Sequence, residues 1–175
     1  AIITLADLDA RLAELAATDL REATTRARML TSLAETLEAA RACILATASE
    51  ETALTIDELT PEFTRMTATL RLFAERTQDP ATFRVQVDGA GTPAIGPAHS
   101  LQSRLVPLGL VAVFGASNFP LAYGVCGGDT ASALAAGCPV VVKEHLAHPK
   151  TGQLLAALAS EAGAALLYLR DSEPD

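Results

Sequence analysis

Two polar side chains stand where apolar runs end. Asn118 follows the run Leu110–Phe114 in the stretch LVAVFGASNFP, and Lys143 follows directly on Pro139–Val142. A carboxamide in such a place can donate a hydrogen bond to an oxygen that is gaining negative charge, and losing such a donor costs about 3–4 kcal/mol of barrier. The same side chain can instead close an Asx-type turn, or cap a helix that starts at Pro120. A lysine at the end of a buried strand can meet phosphate or ribose oxygens, or it can be an ordinary surface cation. Spacing alone leaves both pairs of readings open.

The other reactive side chains offer less. Asp129 and Thr130 sit near the start of a small-residue helix and read as caps. His145 and His148 could share a helix face, but Pro149 spoils that geometry and no third ligand is evident, so no metal site is expected. His99 lies in a Gly/Pro loop without a visible partner. Cys43, Cys126 and Cys138 form neither a metal spacing nor a redox pair. They read as small buried hydrophobes. A Gly-x-Gly-x-x-Gly dinucleotide fingerprint is missing, because the turn after the first run reads FGASNFP.

The elements that must carry Asn118 and Lys143 follow from the apolar pattern. Leu110–Phe114 is a short strand broken by Gly115; a helix rich in small residues runs from Pro120 to Gly137; Pro139–Val142 is a second strand. Pro149 and Thr151 start a further helix with Leu154, Leu155, Leu158 and Ala162 on its apolar side, and Gly163 stops it. ALLYLRD is a third strand. Strand–helix–strand–helix–strand is half of a doubly wound parallel sheet, whose carboxyl edge binds ligands. A half sheet has an open edge that something must cover.

Ahead of this unit, residues 5–48 read as helix. Leu8, Leu12 and Leu15 share one face; after a break at Thr18–Asp19, the stripe Leu30, Leu33, Leu37, Ala40 and Ile44 marks an amphipathic structural helix. Pro61 is a plausible start for the next helix, with Phe63, Met66, Leu70 and Phe73 as a core stripe. FRVQVDG alternates as a half-buried strand should, a Gly/Pro loop follows, and Ser103–Val106 is its partner. The organisation predicted is a helical layer over 1–80, a β arm over 81–106, and an open parallel Rossmann-like half sheet over 107–175: an α/β fold.

The chain has 175 residues, half of them hydrophobic and 19% charged, with aromatics at 4%. Such a chain folds around a core of Ala, Leu and Val. A net charge of −8 with scattered Lys and Arg argues against a nucleic-acid partner. No apolar run approaches the roughly 20 residues that span a bilayer. The expectation is a cytoplasmic protein with no membrane partner.

From Val111 to Gly152 the chain reads VAVFGASNFPLAYGVCGGDTASALAAGCPVVVKEHLAHPKTG, which closely resembles the aldehyde dehydrogenase superfamily. The nearest branch looks like the 2,5-dioxovalerate (α-ketoglutaric semialdehyde) and NADP-dependent fatty aldehyde dehydrogenases. DELTPEFTRMTATLRLFAE is similar to that branch's third helical segment, and the 83–106 region to its oligomerisation arm. The resemblance implies that Asn118 holds the aldehyde oxygen during attack by a cysteine. It likewise implies that Lys143 holds the adenosine ribose of NAD or NADP, while Phe114, Gly115, Ala116 and Ser117 line the nucleotide crevice. It further implies an aldehyde or semialdehyde substrate, and assembly as a homo-oligomer or with a complementing chain.

Two departures matter. Where many NAD-preferring members carry a glutamate that repels a 2′-phosphate, this chain has Leu146, so NADP should be tolerated; Glu144 could restore some negative potential. The resemblance also places the family's nucleophilic cysteine, general-base glutamate and nicotinamide-packing glycine motif beyond Asp175. The expectation is therefore an incomplete aldehyde dehydrogenase fold, the N-terminal portion of an enzyme, inactive alone. The alternative is a non-catalytic nucleotide-binding or assembly module derived from that fold.

Overall fold

The computed structural model describes residues 5–90, 100–143 and 145–170. The readings of His99, Glu144 and most of the Gly/Pro loop lie outside these residues. Four helices open the chain: α1 (Leu5–Ala16), α2 (Ala23–Ala39), α3 (Arg41–Thr52) and α4 (Ile56–Arg76). The stripe from Leu30 to Ile44 is not one helix, because the chain bends at Ala40 (φ −91°, ψ 7°). Ala40 N–H still donates to Thr36 and Ile44 N–H to Ala40, but the helical ladder is interrupted between these two bonds. Leu30, Leu33, Leu37 and Ile44 are all fully buried on either side of it. In the α1–α2 linker, Arg26 Nη1 donates to the carbonyls of Leu20 (2.6 Å) and Arg21 (2.7 Å). Burial pushes the Arg26 guanidinium below its ordinary pKa, opposed by Glu22.

The fourth helix starts before Pro61. Thr55 Oγ1 accepts from Glu58 N–H at 3.2 Å and Glu58 Oε2 accepts from Thr55 N–H at 2.9 Å, a reciprocal capping box that fixes Ile56 as the first residue. Pro61 lies inside the helix and forgoes only the one bond its N–H would have made. Phe63, Met66 and Leu70 of the predicted stripe are buried, joined by Leu59, whereas Phe73 is only half-buried. Arg71 reaches from this helix to Glu38 on α2 through paired bonds of 3.1 and 2.6 Å.

The arm is smaller than expected. Pro80–Phe83 is a 3₁₀ turn capped by Asp79, and Arg84 takes a left-handed φ of 43°, so the strand starts late. β1 (Gln86–Asp88) pairs antiparallel with β2 (Leu101–Ser103), earlier in the chain than Ser103–Val106. Val85, Val87 and Leu101 are exposed rather than half-buried.

The last part carries β3 (Val111–Phe114), α5 (Gly128–Ala135), β4 (Val140–Lys143), α6 (Pro149–Glu161) and β5 (Leu166–Leu169). The three strands are parallel in the order β3-β4-β5, with Phe114 beside Lys143 beside Leu169. Val113, Val140 and Val142 are buried, whereas Ala112 and Phe114 on the alternate face of β3 are exposed. Helices α2, α3 and α4 pack over α5 and α6, and one apolar core runs from Leu30 to Leu155. Gly137 ends α5 at φ +86°, a conformation that favours glycine. Among the described residues, no helix is long and apolar enough to cross a membrane.

Candidate functional site

The carboxyl ends of β3 and β4 lie side by side; Phe114 and Lys143 end these strands, and Gly115–Asn118 and Leu146 lie on the loops that follow. Phe114 and Lys143 are register partners, so their side chains project from the same face of the sheet. The chain then runs through half-buried Gly115 and Ala116 to exposed Ser117 and Asn118. On the neighbouring loop, Leu146 is exposed and presents no polar group.

Ala116 is held from two sides. Its N–H donates to the Tyr123 carbonyl at 3.0 Å, and its own carbonyl lies 3.1 Å from His148 Nε2. His148 is buried, and its ring stacks on His145 with centroids 5.1 Å apart and 21° between planes. Burial, the His148 ring and Lys143, in that order, lower the His145 pKa below its ordinary value. The sequence offers the two histidines only as an incomplete metal pair. His148 instead joins the loops that follow β3 and β4, and only the fold brings it to Ala116.

Asn118 lies in a cleft of about 380 Å³ between its own loop and α4, whose Glu58, Glu62 and Arg65 line the other wall. The helix expected from Pro120 begins only at Gly128, with Gly127 as its cap, so Asn118 does not cap it. An Asx turn would need the N–H two residues on, and that residue is Pro120. The next N–H, of Leu121, donates to Glu62 Oε1 at 2.7 Å, and Ala122 N–H to the same oxygen at 2.8 Å. Arg65 Nη2 donates to the Tyr123 hydroxyl at 2.7 Å, and its guanidinium carbon sits 5.1 Å from the centre of that ring. Phe119 meets Tyr123 edge-on at 5.6 Å.

Glu62 and Arg65 were missed in the sequence. The available signal was a carboxylate on the apolar stripe, since Glu62 falls between Leu59 and Met66 at helical spacing. Asp129 is exposed in the first turn of α5. Thr130 is buried and donates its hydroxyl to the Val125 carbonyl at 2.7 Å, so it closes the turn without a side-chain cap.

The cysteines stand apart from this cleft. Burial raises the Cys126 thiol to about 12, and its Sγ lies 3.6 Å from the Leu155 carbonyl. Cys138 is buried in the core; Cys43 is exposed on α3. A larger cleft of about 590 Å³ runs along β3 beside Leu108 and Phe114. Its lining is apolar except for Asp129 and Ser132. The site can therefore offer a carboxamide to an oxygen and a lysine with two loops to a polar ligand, with no nucleophile beside them among the described residues.

Residues 6–165 match the sequence profile described as the aldehyde dehydrogenase family. The chain is 45% identical over 133 residues to alpha-ketoglutaric semialdehyde dehydrogenase 2 of Azospirillum brasilense, covering 74% of this chain and 25% of that protein. It thus spans about a quarter of the length of that relative. Among solved structures, a NAD-dependent benzaldehyde dehydrogenase from Corynebacterium glutamicum aligns with a TM-score of 0.74 at 26% identity, over 98% of this chain and 37% of the other. Succinic semialdehyde dehydrogenase from Streptococcus pyogenes, in complex with NADP+, aligns at 0.80 and 18% identity, over 99% and 38%, and shows the shared fold.

Proposed function

The chain belongs to the aldehyde dehydrogenase family, and we propose that it forms one wall of an NAD(P)-dependent aldehyde-oxidising site, with Asn118 facing the aldehyde and Lys143 the nucleotide. The observation that carries this reading is the position of Lys143 at the carboxyl end of β4 and of Asn118 on the loop that follows the adjacent parallel β3, the edge at which open α/β sheets take ligands. The substrate class proposed is an oxo-acid semialdehyde, because the relative at 45% identity is named for one.

Asn118 donates its carboxamide N–H to the aldehyde oxygen as that oxygen gains charge. Lys143 binds ribose hydroxyls, and the backbone from Phe114 to Ser117 lines the crevice for the rest of the nucleotide. Both fit a dinucleotide: a cation and an exposed loop converge on one sheet edge, and Leu146 puts no carboxylate against a 2′-phosphate. NAD(P), when bound, supplies the hydride acceptor. The reaction also needs a nucleophile. Cys126 and Cys138 are buried and Cys43 lies away on α3, so the nucleophile comes from another segment or a complementing chain, and the 175-residue chain alone does not turn over aldehyde. The exposed β1–β2 arm is the surface through which the chain assembles with such a partner or a second copy.

The test is aldehyde-dependent NAD(P)H formation, measured with the pure 175-residue chain and again after complementation with a chain that carries a nucleophilic cysteine. The expected result is no turnover in the first case and turnover in the second. Turnover by the pure chain contradicts the reading, and so does failure of every such complement when binding is verified.

A further inference from the structure

We propose that Glu62 is a positioning residue for Asn118: its carboxylate occupies the backbone donor that would otherwise capture the Asn118 side chain, which leaves the carboxamide turned toward the cleft. The proposal rests on the oxyanion reading of Asn118 given above.

The argument begins with cost. A carboxylate on a helix stripe, 9% exposed, is expensive to bury unless its oxygens are satisfied. Glu62 recovers that cost at one place. Its Oε1 accepts from both Leu121 and Ala122 N–H, at 2.7 and 2.8 Å, in charge-assisted bonds. Leu121 and Ala122 are themselves buried, so without Glu62 both N–H groups would be left without a partner or would seek the nearest acceptor.

The nearest acceptor in sequence is Asn118. Short polar side chains habitually bond the N–H two or three residues ahead. Two ahead is Pro120, which has none; three ahead is Leu121, which Glu62 already holds. The local geometry that makes asparagine a turn former is thus blocked at both positions. One helical turn beyond Glu62, Arg65 fixes Tyr123 through its hydroxyl and ring. Tyr123 in turn accepts from Ala116 N–H on the nucleotide side of the loop. Residues 119–123 are therefore pinned to α4 at two points, and Asn118 projects from the near end of a turn that cannot relax toward it.

The experiment is amide exchange and side-chain NMR on the 175-residue chain, as wild type, Glu62→Ala and Glu62→Gln. In Glu62→Ala, the Leu121 and Ala122 amides exchange about tenfold faster or more, as expected for losing a bond to a charged acceptor. The Asn118 side-chain NH₂ signals move as well, while the sheet amides of Val113 and Val142 keep their protection. Glu62→Gln keeps a carbonyl acceptor without the charge and gives an intermediate, partly rescued response. A residue that merely stabilised the fold would speed exchange throughout, sheet included.

If Glu62→Ala does not fold, the Gln variant carries the test alone, with a few-fold local acceleration expected. Unchanged Leu121 and Ala122 exchange, or unchanged Asn118 signals, in the folded variants overturns the proposal. If the signals move as expected but Asn118→Ala leaves turnover of the complemented enzyme intact, the oxyanion reading fails while the clamp stands.

Discussion

His148 Nε2 lies 3.1 Å from the carbonyl oxygen of Ala116, across the gap between the loops that follow β4 and β3. The contact joins two segments more than thirty residues apart at the sheet edge proposed to take the nucleotide. For it to be a hydrogen bond, the Nε2 nitrogen must carry the proton and donate it, since the carbonyl only accepts.

Replacing His148 with Ala should therefore loosen the 115–118 loop and weaken NADP binding about three- to tenfold, the effect of one neutral hydrogen bond. His148→Gln, whose amide nitrogen can reach a similar position, should recover most of the affinity. Calorimetric titration of nucleotide into each variant is the check; equal affinity in all three would remove His148 from the site.

Lys143 is the group proposed to meet the ribose directly. Lys143→Ala should raise the dissociation constant for NAD and NADP about ten- to a hundredfold, as loss of a charged hydrogen-bonding group does. Because Leu146 carries no charge, NADP should not bind more weakly than NAD. Competitive titration of the two nucleotides tests both statements.

The Glu38–Arg71 bridge between α2 and α4 gives a pH dependence. The Arg71 side-chain hydrogen bond holds the Glu38 carboxyl below its ordinary pKa. A depressed folded-state pKa means stability that is present above the unfolded carboxylate value and lost as pH falls through the folded value. Both side chains are about 40% exposed, so solvent screening keeps the contribution under about 1 kcal/mol. Melting curves of wild type and Glu38→Gln should differ slightly at neutral pH and converge below the carboxylate range. A gap that persists or widens in acid would rule the assignment out.

Gly124 closes the turn behind Asn118. A Cβ there would sit 1.9 Å from the Pro120 carbonyl oxygen, a contact with backbone that no rotamer relieves. Gly124→Ala should destabilise the chain by about 1–3 kcal/mol, the range for overpacking, or displace the 119–123 turn. A urea midpoint matching wild type, with unshifted Asn118 signals, would contradict the packing described.

Much of this was legible in the residues. The runs Leu110–Phe114 and Pro139–Val142 are short and apolar and form the adjacent strands β3 and β4, although β3 is buried on one face only. What sequence hid were choices made by tertiary contacts. Pro61 and Pro120 both look like helix starts, but the Thr55–Glu58 capping box claims the first and the Glu62 clamp holds the second in an open turn. Ala40 breaks a stripe whose periodicity gives no hint of a bend, because the apolar faces of α2 and α3 stay buried on both sides of it. His148 and Ala116 meet only because two parallel strands set their loops side by side.

The central claim concerns Asn118, and the most direct measurement is the turnover of the complemented enzyme with Asn118→Ala. The account predicts a fall in kcat of about a hundred- to a thousandfold with KM little changed, the signature of a donor used mainly in the transition state. A kcat equal to that of the unaltered chain would contradict it.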